Sequence, residues 1–203
     1  MPPNGPLLRL APHHHEARAC GRLVRWWQRR RWHAAGREAW LSTDGLTGLP
    51  DRAGCLAQAQ VLQVRARQLA VRWPMAVLLA ELAGARDVLD RSGPEGAQEA
   101  VVQASLALRS RLRRGDLVGR WAATAFVVVL PPTDPRHLPA IAARLQQQVR
   151  LRCQGVPLGL CLGAAPCAID GSLVEAAQRA EAALMRALPP SGEGIQVWMP
   201  GLK

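Results

Sequence analysis

Lysine is nearly missing from this chain of 203 residues: 25 of its 26 basic residues are Arg, and the single Lys is the last residue. Acidic residues are also scarce, 15 Asp+Glu, which leaves a formal charge of +11. The five cysteines, Cys20, Cys55, Cys153, Cys161 and Cys167, are odd in number and contain no CxxC pair. That excludes a disulfide framework and a cysteine zinc site, and suits small buried hydrophobes in a reducing compartment. No uninterrupted apolar run approaches the length of a membrane span, and the N-terminus lacks the compact apolar core of a signal peptide. These absences predict a soluble, cytoplasmic protein without a resident metal or cofactor.

The length suffices for one domain with a real core plus an appendage, and a hydrophobic fraction of 49% is ordinary for a globular chain. The charge is uneven. Residues 1–41 hold eight Arg against two acidic residues. Such a balance favours anionic partners: nucleotides, nucleic acid, acidic lipid or an acidic protein. Arginine bias beside abundant Ala also follows from a GC-rich genome, which takes weight from the charge.

Residues 1–17 are rich in Pro, Gly and His and read as a disordered tail. The run His13, His14, His15 is not expected to hold a metal. Residues 18–41 read as a basic, Trp-rich helix: Leu23, Trp26, Trp27 and Ala34 share a face, with Arg22, Arg25 and Arg29 beside them. The preferred reading is a helix packed on its own domain or paired in a homodimer. An acidic membrane surface comes second, because Arg with Trp suits the interface. Nucleic acid is third and not expected.

From residue 42 onward helices and strands alternate. Helices are predicted over 53–71, 94–114, 134–151 and 172–188, the last capped by Ser172, and strands over 75–82, 156–165 and 194–199. Residues 116–121 and 124–130 form a hairpin. The run 75–82 is continuously apolar, the mark of a central strand buried on both faces. The pattern predicts an α/β or α+β sheet covered by helices.

Four segments carry a family likeness. Arg113 to Pro131 reads RRGDLVGRWAATAFVVVLP, Thr43 to Arg52 reads TDGLTGLPDR, Cys161 to Ala164 reads CLGA, and Ala180 to Leu188 reads AEAALMRAL. Their order and spacing resemble the GGDEF family of bacterial diguanylate cyclases. There RxxD precedes Arg and the GGDEF signature, Asp-x-Leu-Thr-Gly-Leu-x-Asn-Arg opens the domain, Ser-Ile-Gly-Val-Ala forms a strand, and Ala-Asp-x-Ala-Leu-Tyr-x-Ala-Lys ends the domain. The resemblance spans residues 42 to about 199, so residues 42–203 are read as a GGDEF domain. It implies a five-stranded, nucleotidyl-cyclase-like mixed sheet with helices and a lead-in N-terminal helix.

The frame residues Arg113, Asp116, Arg120, Phe126, Leu130 and Pro131 stand in register, but the signature positions read Ala122, Ala123, Thr124, Ala125 and Phe126. The family joins two GTP molecules into cyclic di-GMP with two divalent cations held between acidic residues and phosphates. The resemblance puts Thr124 and Ala125 where the signature acids stand. It leaves Glu81 alone in the segment where the family has Asp-x-Asp-x-Phe-Lys. Ala122 and Ala123 replace the glycines that let phosphate approach the backbone. Leu89 and Gln98 replace the guanine-reading Asn and Asp, and Leu188 replaces a phosphate-binding Lys. The expectation is a degenerate domain, a pseudoenzyme with no catalytic residues and no metal site. Asp44 is expected to pin the start of the domain rather than to do acid–base chemistry.

The resemblance also implies an inhibitory product site at RxxD. Arg113 can donate two bonds to a guanine edge or a phosphate, and Asp116 can accept from guanine N–H groups. The same residues are equally an Arg-rich helix end favoured by the helix dipole. The resemblance thus leads to the expectation of a cyclic di-GMP receptor or adaptor in bacterial signalling, with a protein partner. The alternatives are a nucleotide-independent protein-interaction module and residual diguanylate cyclase or other nucleotide chemistry.

Overall fold

The computed structural model describes residues 42–69, 71, 73–187 and 194–198. The N-terminal tail, the Trp-rich segment 18–41 and Leu188 lie outside the described residues. Among the described residues, four helices and five strands follow in the order α1 (Arg52–Gln68), β1 (Met75–Ala83), α2 (Ala85–Arg111), β2 (Leu117–Arg120), β3 (Ala125–Leu130), α3 (Leu138–Arg152), β4 (Gly159–Cys167), α4 (Leu173–Ala187) and β5 (Ile195–Val197), with a short 3₁₀ turn at Pro135–His137.

The strands form one mixed sheet in the order β2-β3-β1-β4-β5. All neighbours are antiparallel except β4 and β5. β1 is therefore central, and its side chains alternate between two cores. Ala76, Leu78, Ala80 and Leu82 meet Phe126, Val128 and Leu160 under α2 and α3. Met75, Val77 and Leu79 meet Val127, Val129 and Cys161 under α1 and α4. Helices on both faces explain why the strands read as apolar runs rather than as alternating patterns. α4 buries Leu173, Ala176, Ala177, Ala180, Ala183, Leu184 and Ala187, a stripe at helical spacing, and the Ser172 hydroxyl accepts from Glu175 N–H at its start.

The largest departure from expectation is α2, which begins at Ala85 rather than at Pro94. Gly84 at φ 81° turns the chain straight from β1 into the helix, in space where a Cβ would meet the Pro157 carbonyl. The helix then kinks at Gly93, φ 69°, and Pro94 restarts it. α1 ends at Gln68, three residues early, ahead of the Trp73–Pro74 step. β4 begins at Gly159, after a turn through Gly155.

Candidate nucleotide site

The opening turn and the hairpin are tied together first. Asp44 accepts from Thr47 N–H at 2.9 Å and from the Thr47 hydroxyl at 2.6 Å, and pairs with Arg120 at 3.7 Å. Burial pushes the Asp44 carboxyl up, but the Thr47 bonds and the Arg120 charge outweigh it, and the net shift is downward. Asp51 caps α1 through Gly54 N–H at 2.9 Å. Arg120 donates from its backbone to the Pro50 carbonyl at 2.8 Å, so β2 is anchored on the opening turn.

Between β2 and β3, the signature loop closes on itself. Ala122 N–H donates to the Ala125 carbonyl at 3.2 Å and Ala125 N–H returns to Ala122 at 3.3 Å. The Arg120 guanidinium donates to the carbonyls of Ala122, at 2.6 Å, and Ala123. Ala122 and Ala123 are exposed, while Ala125 and Phe126 are buried in β3. The β1–β3 register sets Glu81 opposite Ala125, and the Thr124 hydroxyl donates to the Glu81 carboxylate.

These residues line one side of a cavity of about 610 Å³. Glu81, Thr124, Ala123 and Arg120 lie there, with Arg86 and Gln98 from α2. Leu46, Leu82, Ala85, Leu89, Ala97 and Val101 complete it, so the wall is more apolar than polar. The residues expected at substrate positions, Glu81, Leu89, Gln98, Ala123 and Thr124, thus do converge. Their donor set does not fit a pair of divalent cations: one carboxylate faces one hydroxyl, already bonded to each other. Among the described residues no cluster of three His, Cys, Asp or Glu is placed to hold a metal.

Arg113 and Asp116 come together in a different place, the turn that leads into β2. Asp116 accepts from Arg113 N–H at 2.8 Å, and its own N–H donates to the Arg113 carbonyl at 2.9 Å. Asp116 does not pair with Arg120, which is committed to Asp44. Burial raises the Asp116 carboxyl pKa, against the Arg113 N–H and the guanidinium charges of Arg113 and Arg144. The Arg113 side chain remains exposed. Both residues line two adjoining cavities, one of about 260 Å³ and one of about 560 Å³. Arg144 on α3 lines the larger one. Nothing in the sequence singles it out among the many arginines; only the packing of α3 beside the turn brings it in.

The sequence model described as "Diguanylate cyclase, GGDEF domain" matches residues 41–188, so the chain belongs to the GGDEF family. Among solved structures, it is similar to the diguanylate cyclase SiaD of Pseudomonas aeruginosa, determined with its activator SiaC. That match has 23% identity and a TM-score of 0.73 over 92% of this chain and 74% of that one. A microbial GGDEF domain described in a novel interaction mode with cyclic di-GMP matches at 22% identity and TM-score 0.67, over 78% of this chain and 99% of that one. The GGDEF domain of DgcB from Caulobacter crescentus, in complex with c-di-GMP, matches at 14% and 0.64, over 76% and 94%. No functionally curated protein is similar enough to match. Among the described residues, no helix is long and apolar enough to cross a membrane.

Proposed function

We propose that this GGDEF domain does not synthesise cyclic di-GMP and instead binds it, as a receptor or adaptor, at the turn of Arg113 and Asp116. The observation that carries the reading is the contrast between the two ends of β2. At one end the signature loop is hydrogen-bonded shut, with Thr124 on the surviving carboxylate. At the other, Asp116 is held by backbone N–H while the Arg113 guanidinium stands exposed at the edge of two cavities. An ionised carboxylate flanked by guanidinium groups suits the N–H and O6/N7 edges of guanine and the phosphates of a cyclic dinucleotide. Phosphoryl transfer, by contrast, rests almost wholly on positioning and charge neutralisation, and the signature loop supplies neither the glycines nor the acids for it. Two relatives of the same fold were solved with c-di-GMP, which supports the ligand class.

Calorimetry of the purified chain with cyclic di-GMP, GTP, and GTP plus magnesium tests this. Cyclic di-GMP binds, GTP does not bind with or without magnesium, and no cyclic di-GMP forms from GTP in magnesium or manganese. Product well above a no-enzyme control overturns the inactive reading. A second reading, a protein-interaction module that needs no nucleotide, has two observations in its favour. The solved SiaD structure holds a protein activator, and α4 here leaves Val174 and Met185 exposed. It becomes the better account if no nucleotide binds.

A further inference from the structure

The seam between α2 and α3 carries positive charge without acids. Residues 100–115 hold Arg109, Arg111, Arg113 and Arg114 and no Asp or Glu; residues 138–155 hold Arg144, Arg150 and Arg152 and none either. The two helices run antiparallel, side by side. Arg152 donates from Nε to the Gln103 side chain at 3.0 Å, and Arg111 donates from Nε to the Gln148 side chain at 2.6 Å. Arg144 reaches the Arg111 carbonyl at 3.5 Å.

Their partners set these arginines apart. Arg86, Arg120, Arg136 and Arg179 each pair with a carboxylate. Arg111 and Arg152 are held by neutral amides, and among the described residues no carboxylate pairs with either. Glu99 enters the network only by accepting from the Gln103 amide. Because Nε is the atom used, each guanidinium is oriented while its two amino groups stay available to a carboxylate. Both side chains are exposed. Gln103 and Arg111 lie eight residues apart on α2, so the two braces stand about 12 Å apart along the seam.

Apolar groups flank the charges. Leu106 follows Gln103 by one turn on α2, and Leu151 follows Arg144 by two turns on the same face of α3; both leucines are exposed. A nucleic-acid backbone would leave them in water, and neither stretch contains a Trp, Phe or Tyr on which a base could stack. An amphipathic helix covers both kinds of group, and carboxylates two turns apart on it are separated by about 10–12 Å. We infer that the α2–α3 seam docks an acidic amphipathic helix of a protein partner, with its carboxylates on Arg111 and Arg152 and its apolar residues beside Leu106 and Leu151. Arg111 and Arg152 line neither cavity of the RxxD turn, so the docking does not depend on the receptor reading.

The test is fluorescence anisotropy, without nucleotide, of the full chain with a labelled helical peptide that carries Glu two turns apart and Leu between them. Wild type binds it, less tightly as salt rises, and binds the same peptide with Gln for Glu about tenfold more weakly or worse. Arg111→Glu with Arg152→Glu should cost about tenfold or more, and the milder Arg111→Gln with Arg152→Gln should also weaken binding, which guards against a folding defect. Arg91→Glu with Arg186→Glu makes the same charge change at exposed arginines elsewhere and should stay within about threefold of wild type. Leu151→Ser should weaken binding severalfold. Equal losses in the two Glu pairs reduce the seam to general charge and refute the inference, as does a wild type that ignores the Glu peptide. Leu151→Ser binding as wild type does refutes the amphipathic partner. Duplex DNA or phosphatidylserine vesicles that bind more tightly than the peptide, with the same dependence on Arg111 and Arg152, would give the face to a nucleic acid or a membrane and refute it too.

Discussion

The contact between Thr124 and Glu81 makes a sharp prediction about what happens when an acid is put back. Leu82 N–H donates to the Thr124 carbonyl at 3.0 Å, so the backbone of residue 124 is fixed against the end of β1. Thr124→Asp keeps that backbone and replaces a hydroxyl that donates to Glu81 with a carboxylate that repels it. Two unit charges at about 4 Å interact by about 4 kcal/mol at an effective dielectric near 20 and about 1 kcal/mol in bulk water. Glu81 is half-buried, which sets the repulsion between those limits. A lost hydrogen bond adds about 1 kcal/mol. The variant should therefore be about 2–5 kcal/mol less stable, a fall in Tm of roughly 4–20 °C for a chain of this size.

Magnesium or manganese should then restore much of the loss, because the paired carboxylates now attract a cation. At a metal concentration of a hundred times Kd the recovery is about 2.7 kcal/mol. Thr124→Ala loses the hydrogen bond alone, about 1 kcal/mol, and should not respond to metal. Adding Glu81→Gln to Thr124→Asp should remove the repulsion and the metal response together. Thermal and urea unfolding with and without metal read all of this. Thr124→Asp as stable as wild type in the absence of metal, or Thr124→Ala as damaged as Thr124→Asp, would refute the reasoning. Rebuilding the whole signature at residues 122–125 is still not expected to yield cyclase activity, since Leu89 and Gln98 line the same cavity.

The remaining predictions concern the RxxD turn and the core. Arg113→Ala should abolish cyclic di-GMP binding with a stability change of about 0.5 kcal/mol or less, whereas Arg114→Ala should bind normally; equal losses in calorimetry would reduce the site to a diffuse basic patch. Asp116 has a folded-state pKa above its unfolded value, so folding favours its protonated form. That contribution is complete below the unfolded value and is lost as pH rises through the folded one. Wild type should accordingly gain stability relative to Asp116→Asn as pH falls through the raised value, while cyclic di-GMP affinity, which needs the ionised carboxylate, falls over the same window. Gly163→Ala puts a methyl into the backbone of α4 at Ala180 and Leu184 and should destabilise by about 1–3 kcal/mol or prevent folding, read by urea unfolding.

The family resemblance and the apolar strands were legible in the sequence because helices cover both faces of the sheet, so β1, β3 and β4 read as apolar runs. The first half of α2 was not legible. Residues 85–92 carry four charged residues and bury only Val88, with Ala85 packed beside it, between Gly84 and Gly93. What makes them helical is the left-handed turn at Gly84 and continuity with the longer helix beyond the kink, neither of which has a periodic signature. In the site, residue types were readable and pairings were not. Glu81 and Thr124 are 43 residues apart and meet only through the β1–β3 register. Arg144 joins the RxxD turn through helix packing that no local pattern encodes.

The two ends of β2 are the reason the proposed reading lets one site be lost without the other. Asp116 precedes its first residue and Arg120 is its last, four residues apart along an extended strand and so separated by about 14 Å. Substitutions that far apart, with no shared partner, act independently. Arg120 spends its guanidinium on Asp44 and on the carbonyls of the signature loop, and Asp116 spends its carboxylate on the turn that starts the strand. Neither bond network includes the other. Replacing the signature with Ala-Ala-Thr-Ala therefore removes acids and opens no gap in the RxxD turn, because Thr124 satisfies the one carboxylate left behind and the loop is closed by its own backbone and by Arg120. On the proposed reading, a domain built this way sheds catalysis while the strand beside the signature loop still presents Arg113.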